Sequence, residues 1–237
     1  MTFYKNMADV YHFIFPSQGK IDFLSKQFQE NSHLLDVGCS DGRVSEGLAK
    51  RGHNVIGIDY SEDMIAVAKR ISDKLSNMTV AQMDMRDVFE AYGSRKFNGI
   101  FCIGNTLVHL TNLEEIKSLL FDFNTMLDEN GKLVLQIIHY DAVIANKIRT
   151  LPLIDNEHVR FERNYAFDTP LVRFSTKLLI KSNGNVYEAD TALLGLKMKE
   201  LDLILNEVGF KDVQWYGDFT GKPLDESSLQ LILVANK

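Results

Sequence analysis

The stretch Leu34-Leu-Asp-Val-Gly-Cys-Ser-Asp-Gly-Arg43 decides the fold of this 237-residue chain, because an apolar strand runs there directly into a glycine-bearing loop. Glycine suits such a loop, since it adopts positive φ angles and lets a ligand approach the backbone closely. A glycine turn alone would equally suit a purely structural corner. The residues after the loop are therefore needed to distinguish a ligand-binding loop from a structural turn.

Short apolar runs and amphipathic stretches alternate from residue 34 onward, which is typical of an α/β fold with a parallel sheet covered on both faces. The predicted strands are Leu34 to Val37, Asn54 to Ile58, Met78 to Met83, Phe97 to Ile103 and Lys132 to Ile138. The predicted helices between them are Gly42 to Arg51, Ser61 to Leu75, Val88 to Tyr92 and Asn112 to Leu127.

Three local signals set helix boundaries in this region. Ser61 is a predicted N-cap, and Thr111 with Glu114 matches a capping box for the fourth helix. Gly131 is predicted to end that helix and lead into the next strand.

The pattern changes after Ile138, where strict alternation predicts a small antiparallel insertion. Its predicted strands are Val159 to Phe167, Leu171 to Lys181 and Val186 to Leu194, with turns at Asp168-Thr169-Pro170 and Ser182-Asn183-Gly184-Asn185. A helix at Lys197 to Val208 and strands at Asp212 to Tyr216 and Leu229 to Ala235 complete the chain. We expect a single domain over residues 1–237, with an N-terminal flap and helix at 1–30 and an inserted β cap at 139–195.

Composition narrows the classes of function. The longest apolar runs fall well short of the roughly 20 residues that span a bilayer. The N-terminus lacks a long apolar run before a cleavage site and carries Asp9 where a signal peptide would be free of acidic residues. We therefore expect a cytoplasmic protein without a membrane segment. Cys39 and Cys102 lack metal-ligand or disulfide spacing, so neither a metal nor a disulfide is expected. A net charge of −6 opposes binding to a nucleic-acid backbone.

Carboxylates lie at the ends of three successive predicted strands. Asp36 lies in the glycine stretch, Asp59 ends Val55-Ile-Gly-Ile-Asp59 about twenty residues later, and Asp84 follows the third strand. The second position is where a carboxylate accepts hydrogen bonds from ribose hydroxyls in nucleotide-binding sheets. Because open α/β sheets bind ligands at the carboxyl ends of their strands, these acids are expected to line one crevice.

At this point the chain resembles the class I, Rossmann-like S-adenosylmethionine-dependent methyltransferases, strongly over residues 34–138 and more loosely in the two C-terminal strands. The family pattern acid-x-Gly-x-Gly-x-Gly is matched by Asp36, Gly38 and Gly42, while Ser40 replaces the middle glycine. The resemblance implies a seven-stranded, mostly parallel sheet and S-adenosylmethionine as cofactor, with S-adenosylhomocysteine as product and no metal. A dinucleotide dehydrogenase fits less well, because the third-strand acid and the segment after it match the methyltransferase pattern.

The resemblance also implies roles for individual residues. Asp36 and the loop are expected to hold the methionine end, Asp59 the ribose, and Asp84 with Met85 the adenine, while Met64 either packs on the adenine or is an ordinary buried helix residue. The full set expected to bind the cofactor is Tyr11, Asp36, Gly38, Cys39, Ser40, Gly42, Asp59, Tyr60, Met64, Asp84, Met85, Ile103 and Gly104.

The acceptor side is expected beyond the fourth strand, in Ile103-Gly-Asn-Thr-Leu-Val-His109. This segment is similar to the one in glycine and sarcosine N-methyltransferases, which implies catalytic roles for Asn105 and His109. His109 would orient the acceptor or accept its proton, although a helix-capping or partly buried histidine is an equally good interpretation. Methyl transfer from a sulfonium is an in-line displacement, so alignment and water exclusion matter most.

Two further segments are expected to close the site. The aromatic N-terminus, which includes Phe3-Tyr4, resembles a flap that closes over the cofactor. Tyr11 would attract the sulfonium through a cation–π interaction. Alternatively, the segment is a helix that only packs on the core. The inserted cap supplies the candidate substrate-binding residues, which are Tyr140, Arg163, Tyr165 and Arg173. Guanidinium groups there would suit an acceptor carboxylate, although such arginines more often lie on a solvated strand face.

The sequence thus predicts a methyltransferase of a small molecule, with transfer to nitrogen resting on the resemblance alone. Two alternatives stay open at this level: a methyltransferase of RNA, nucleotides or protein side chains, and a non-catalytic cofactor-binding protein. The acceptor and the oligomeric state are not determined by the sequence, because fold does not fix function.

Overall fold

A seven-stranded sheet forms the centre of the chain, which the computed structural model describes over residues 7–168 and 171–237. Its strands are β1 (His33–Val37), β2 (Asn54–Asp59), β3 (Met78–Gln82), β4 (Phe97–Cys102), β5 (Leu127–Ile138), β10 (Lys211–Tyr216) and β11 (Gln230–Asn236). They lie in the order β10-β11-β5-β4-β1-β2-β3, and only β11 runs antiparallel to its neighbours. The predicted α/β fold with a mostly parallel sheet is confirmed.

Helices cover both faces of this sheet. They are α1 (Tyr11–Ile14), α2 (Gln18–Ser25), α3 (Arg43–Ala49), α4 (Glu62–Ser72), α5 (Val88–Tyr92), α6 (Leu113–Met126), α7 (Tyr140–Ala145) and α8 (Met198–Glu207). Successive strand residues separate into two apolar layers: Leu34 packs with α2 and α3, whereas Leu35 packs with α6 and α8. This two-sided burial explains why the central strands read as continuous apolar runs.

Two predicted boundaries are wrong by a few residues. Asn112, not Thr111, caps α6, because its side chain accepts a hydrogen bond from the amide of Glu114 at 2.9 Å. Gly131 does not end a helix, since the backbone is already extended at Leu127 and β5 begins there. By contrast, Ser61 caps α4 as predicted, accepting from the Met64 amide at 3.4 Å.

The predicted antiparallel insertion is a four-stranded sheet, which we call the cap sheet. Its strands, in order, are β6 (Ile154–Asp155), β7 (Val159–Asp168), β8 (Leu171–Ile180) and β9 (Asn185–Leu194). Gly184, with φ of +73°, forms the predicted turn between β8 and β9. Residues Thr169-Pro170 of the other predicted turn, and Phe3-Tyr4, lie outside the described residues.

The N-terminal segment joins the cap sheet to the central sheet. Met7, Ala8 and Ile14 pack with Met64 of α4 and with the apolar face of β7 and β8 in one buried cluster. Burial of apolar side chains stabilises such a contact by roughly 25 cal/mol per Å² removed from water. The segment therefore lies beside the carboxyl ends of β1 and β2, where Tyr11 reaches the site. Among the described residues, no helix is long and apolar enough to cross a membrane.

Candidate active site

A crevice of about 970 Å³ runs along the carboxyl ends of β1 to β4. This volume is at the upper end of the range of about 300 to 1,000 Å³ that is usual for ligand sites. The predicted cofactor residues that line it are Tyr11, Gly38, Ser40, Asp59, Tyr60, Met64, Asp84, Met85 and Gly104. Asp36, Cys39 and Ile103 line a small adjoining pocket instead. Nine of the thirteen predicted cofactor residues thus surround one cavity.

The loop after β1 owes its shape to left-handed backbone conformations. Gly38 has φ of +82°, and a Cβ there would lie 2.5 Å from the Thr106 side chain, so only glycine fits. Ser40 has φ of +51° and therefore takes a left-handed conformation, which glycine adopts more readily than serine. Gly42, with φ of +79°, precedes α3 and lines neither cavity. Gly38, Ser40 and Gly42 thus all have left-handed backbone conformations.

Asp59 is anchored through both carboxylate oxygens. Its Oδ2 accepts from the Ser40 amide at 2.9 Å and its Oδ1 accepts from the Ser61 amide at 2.8 Å. Burial raises the pKa of this carboxyl, which the two amide hydrogen bonds oppose. These bonds join β1, β2 and α4 at the crevice and fix the orientation of the carboxylate.

Asp36 lies behind the loop rather than in the crevice. Its side chain is 2% exposed, and Oδ2 accepts a hydrogen bond from the Ser45 hydroxyl at 2.6 Å. Burial raises the pKa of Asp36 to about 7. The carboxyl is therefore positioned to act on the small adjoining pocket, and it gains a proton near neutral pH.

Lys20 is a site residue that the sequence analysis missed. It projects from α2 into the small pocket, where it is the only Lys or Arg among the described lining residues. Burial lowers the pKa of its ammonium group, while the charges of Asp41 and Asp36 oppose that shift. No local motif marks Lys20, because it is far from the glycine loop in sequence and is brought there only by helix packing.

Asp84 and its neighbours form the far end of the crevice. The guanidinium of Arg86 binds both carboxylate oxygens of Asp84, at 3.0 Å for Nε to Oδ1 and 2.6 Å for Nη2 to Oδ2. This pairing lowers the pKa of Asp84. Met85 is partly exposed to the crevice, whereas Met64 is only 1% exposed and packs with the N-terminal cluster.

Both polar atoms of the Asn105 side chain make hydrogen bonds within the fold. Its Oδ1 accepts from the Ile138 amide at 2.9 Å, and its Nδ2 donates to the Tyr140 hydroxyl at 3.1 Å. Its φ of +66° is a left-handed conformation that asparagine tolerates better than most residues. Asn105 therefore ties the end of β4 to β5 and α7 and does not line the crevice, while its catalytic role stays a prediction. Gly104 is held likewise, its amide donating to Gln136 Oε1 at 2.7 Å.

His109 ends a short 3₁₀ turn, Leu107–His109, and lines the crevice. Desolvation lowers the pKa of its imidazole below the ordinary 6.5. The ring is therefore neutral at neutral pH, the form in which an imidazole accepts a proton.

The predicted substrate-binding residues do not line the crevice. Tyr140 is fully buried in the core, Tyr165 is 4% exposed, and Arg163 Nη2 donates to the Pro152 carbonyl at 2.7 Å while its guanidinium lies 5.6 Å from the Phe161 ring centroid. Arg173 is exposed on β8. The structure therefore brings none of these four side chains to the crevice, and their substrate-binding roles stay predictions.

Strand β9 supplies the cap residues that do reach the crevice. They are Glu188, Ala189, Asp190, Thr191 and Ala192. Nothing in the local sequence distinguishes them from other strand residues, since the placement of an edge strand depends on how the cap sheet docks. Within the described residues, no group of three or more His, Cys, Asp or Glu side chains is arranged to hold a metal ion.

The chain is similar to known proteins over most of its length. Residues 34–131, from β1 into β5, match the family model described as a methyltransferase domain. The chain is similar to a glycine/sarcosine N-methyltransferase of Aphanothece halophytica, with 28% identity over 208 residues that cover 86% of this chain and 76% of the relative.

A second relative shares a shorter segment. It is a dTDP-3-amino-3,4,6-trideoxy-α-D-glucopyranose N,N-dimethyltransferase of Streptomyces venezuelae, 30% identical over 138 residues that cover 54% of this chain and 56% of that protein. Among solved structures, an S-adenosylmethionine-dependent methyltransferase from Clostridium acetobutylicum matches with a TM-score of 0.83 and 16% identity, over 98% of each chain. This structural match extends through the cap sheet, and at that identity it concerns the fold.

Proposed function

Because this chain is a class I S-adenosylmethionine-dependent methyltransferase, we propose that it methylates a nitrogen atom of a small molecule bound in the crevice. The observation that carries the proposal is the common cavity shared by the anchored Asp59 carboxylate and the neutral His109 imidazole. The names of the two relatives, which describe methylation of glycine, sarcosine and an amino sugar at nitrogen, support it.

The residues present fit S-adenosylmethionine. Asp59, held by two amides, would accept hydrogen bonds from ribose hydroxyls, and Asp84 with Met85 would contact the adenine. In the small pocket, Lys20 supplies a positive charge for the carboxylate of the methionine end, and Asp36 a carboxyl for its ammonium. Charged and apolar parts of the cofactor thus each meet matching groups.

When bound, the cofactor supplies an electrophilic methyl carbon on a sulfonium, and its transfer to an amine leaves S-adenosylhomocysteine and one proton. His109 accepts that proton, since its lowered pKa keeps the ring neutral. Tyr11 lines both cavities, and Phe15 lines the small pocket, where these rings would limit access of water. Asn105 acts as a positioning residue, since its side chain ties the end of β4 to the Ile138 amide and the Tyr140 hydroxyl.

Calorimetric titration with S-adenosylmethionine and S-adenosylhomocysteine, with NAD as the control ligand, tests the cofactor assignment. Micromolar binding of both sulfur ligands without NAD binding is expected, and methylated product from a small amine, detected by mass spectrometry, completes the test. Binding of NAD alone, or of none of the three, would contradict the proposal.

A further inference from the structure

We infer that the methyl acceptor enters the crevice as a small cationic amine that lacks a carboxylate or phosphate, an inference that rests on the proposed function. The charges around the cavity, the positions of the cap arginines and the presence of His109 in the crevice support it. Together these features distinguish a simple amine from an amino acid or a phosphorylated amine as substrate.

Carboxylates dominate the crevice wall. The acidic residues that line it are Asp59, Glu62, Asp63, Asp84, Glu115, Glu188 and Asp190. Among the described lining residues Arg86 is the only Lys or Arg, and its guanidinium is already paired with Asp84 at 2.6 Å and with Glu115 at 3.4 Å. A cleft lined by one sign of charge concentrates ligands of the opposite sign, so cations are favoured here.

The acceptor side of the crevice holds its own carboxylates on β9. Asp190 accepts a hydrogen bond from the Ser175 hydroxyl at 2.5 Å, and no ion pair between Asp190 and a basic residue occurs in the described part of the chain. Glu188 is paired with Lys177 at 2.8 Å. Asp190 is therefore the β9 carboxylate best placed to pair with an ammonium group.

An acceptor carboxylate finds no matching group in the same cavity. Arg163 is anchored on the Pro152 carbonyl and over the Phe161 ring, and neither it nor Arg173 lines the crevice. An anionic acceptor would approach Glu188 and Asp190 of β9 without a guanidinium fork, and like-charge repulsion would discriminate against it.

A cationic amine also accounts for His109. An ammonium nitrogen has no lone pair, so it must lose a proton before the new nitrogen–carbon bond forms as the methyl carbon–sulfur bond breaks. His109 in the same crevice is neutral and takes that proton. The carboxylates thus select the charged form, and the imidazole converts it to the reactive one.

Matched substrate pairs test the inference. Histamine against histidine, tyramine against tyrosine, and glucosamine against glucosamine 6-phosphate differ chiefly in the anionic group. We expect kcat/KM for the amine to exceed that of its anionic partner by at least tenfold in the pairs that react. Equal or better methylation of the anionic partners would overturn the inference and leave the proposed function intact.

Variants at β9 give a second readout. Asp190→Asn is expected to raise KM for the amine by roughly tenfold, the range for a hydrogen bond to a charged group, with the affinity for S-adenosylhomocysteine unchanged. The wild-type KM is also expected to rise with ionic strength more steeply than that of the variant. Glu162→Gln is the matched control, because Glu162 is an exposed cap carboxylate paired with Arg160 and lies outside the crevice.

Different results would contradict the inference about the acceptor and the proposed function. An unchanged KM and an unchanged salt dependence in Asp190→Asn would overturn the inference. If none of the six compounds is methylated or binds to the complex with S-adenosylhomocysteine, the inference also falls, whereas loss of S-adenosylhomocysteine binding itself would remove the proposed function.

Discussion

The cofactor half and the acceptor half of the crevice differ in how their residues are held. In the cofactor half, Asp59 and the loop after β1 are tied to the ends of parallel strands by backbone hydrogen bonds. In the acceptor half, β9 and His109 come from a separate sheet and a short 3₁₀ turn. The contrast indicates that the first half is built by the fold itself, whereas the second depends on how a cap docks.

The largest effect is expected at His109, which represents the acceptor half. His109→Ala should lower kcat by about 10²-fold or more, in the range for loss of a general base, while S-adenosylhomocysteine affinity stays within about threefold. The neutral imidazole is the active form, so wild-type kcat should rise with pH to a plateau. Because the pKa is lowered, the midpoint of this rise should lie below about pH 6.5.

Steady-state kinetics against pH check this prediction, with His33→Ala as control, since His33 is exposed and outside the crevice. The variant should lose the acidic limb of the profile. Wild-type turnover in His109→Ala would show that the histidine is structural, and the two halves would then differ less in chemistry than we propose.

Asp59 tests the cofactor half. Asp59→Ala removes a buried carboxylate that holds two amides and faces the ribose, so it should weaken S-adenosylhomocysteine binding by about 1.5 to 3 kcal/mol. Calorimetric titration measures this, alongside thermal unfolding to confirm folding. Asp73→Ala, at the exposed C-terminal end of α4, is the control and should bind normally. Unchanged affinity in Asp59→Ala would contradict the ribose assignment.

Asn105 lies at the junction of the two halves and distinguishes a structural role from a catalytic one. Asn105→Ala leaves the Ile138 amide and the Tyr140 hydroxyl without their partner, and should lower the free energy of unfolding by about 2 kcal/mol. Denaturant unfolding measures it, with Asn206→Ala on the exposed face of α8 as a control expected within about 0.5 kcal/mol. Normal stability combined with lost turnover would restore Asn105 as a catalytic residue.

The smallest effect is expected at Ser40. Ser40→Gly relieves a left-handed conformation in the loop and should raise the free energy of unfolding by up to about 1 kcal/mol, with cofactor affinity within about threefold. Asn31→Gly, also at positive φ but outside both cavities, is the matched control. A large gain in affinity for Ser40→Gly alone would mean that the serine impairs the cofactor half.

The same contrast between the two halves governs what could be predicted from the sequence. Asp59 and Asp84 were predictable because a parallel sheet brings all its carboxyl strand ends to one edge, so spacing along the chain converts directly into proximity. Lys20, Glu188 and Asp190 were not, since no spacing rule relates a helix or an edge strand to that edge. Tyr140 and Arg163 illustrate the converse, since their residue types are typical of a binding site, but the structure does not bring them to the crevice.

By itself the sequence determined the α/β class, the order of most elements, the glycine loop and the carboxylates of the cofactor half. These follow from local rules, namely apolar periodicity, backbone sterics at glycine and the geometry of parallel strands. Only the tertiary structure decided that Asn105 ties β4 to β5 and that the cap arginines lie outside the crevice. It also decided that β9 contributes acidic residues to the crevice wall. The physical reason is that these outcomes depend on packing between distant segments, where apolar faces select the docking and polar side chains take the positions that remain.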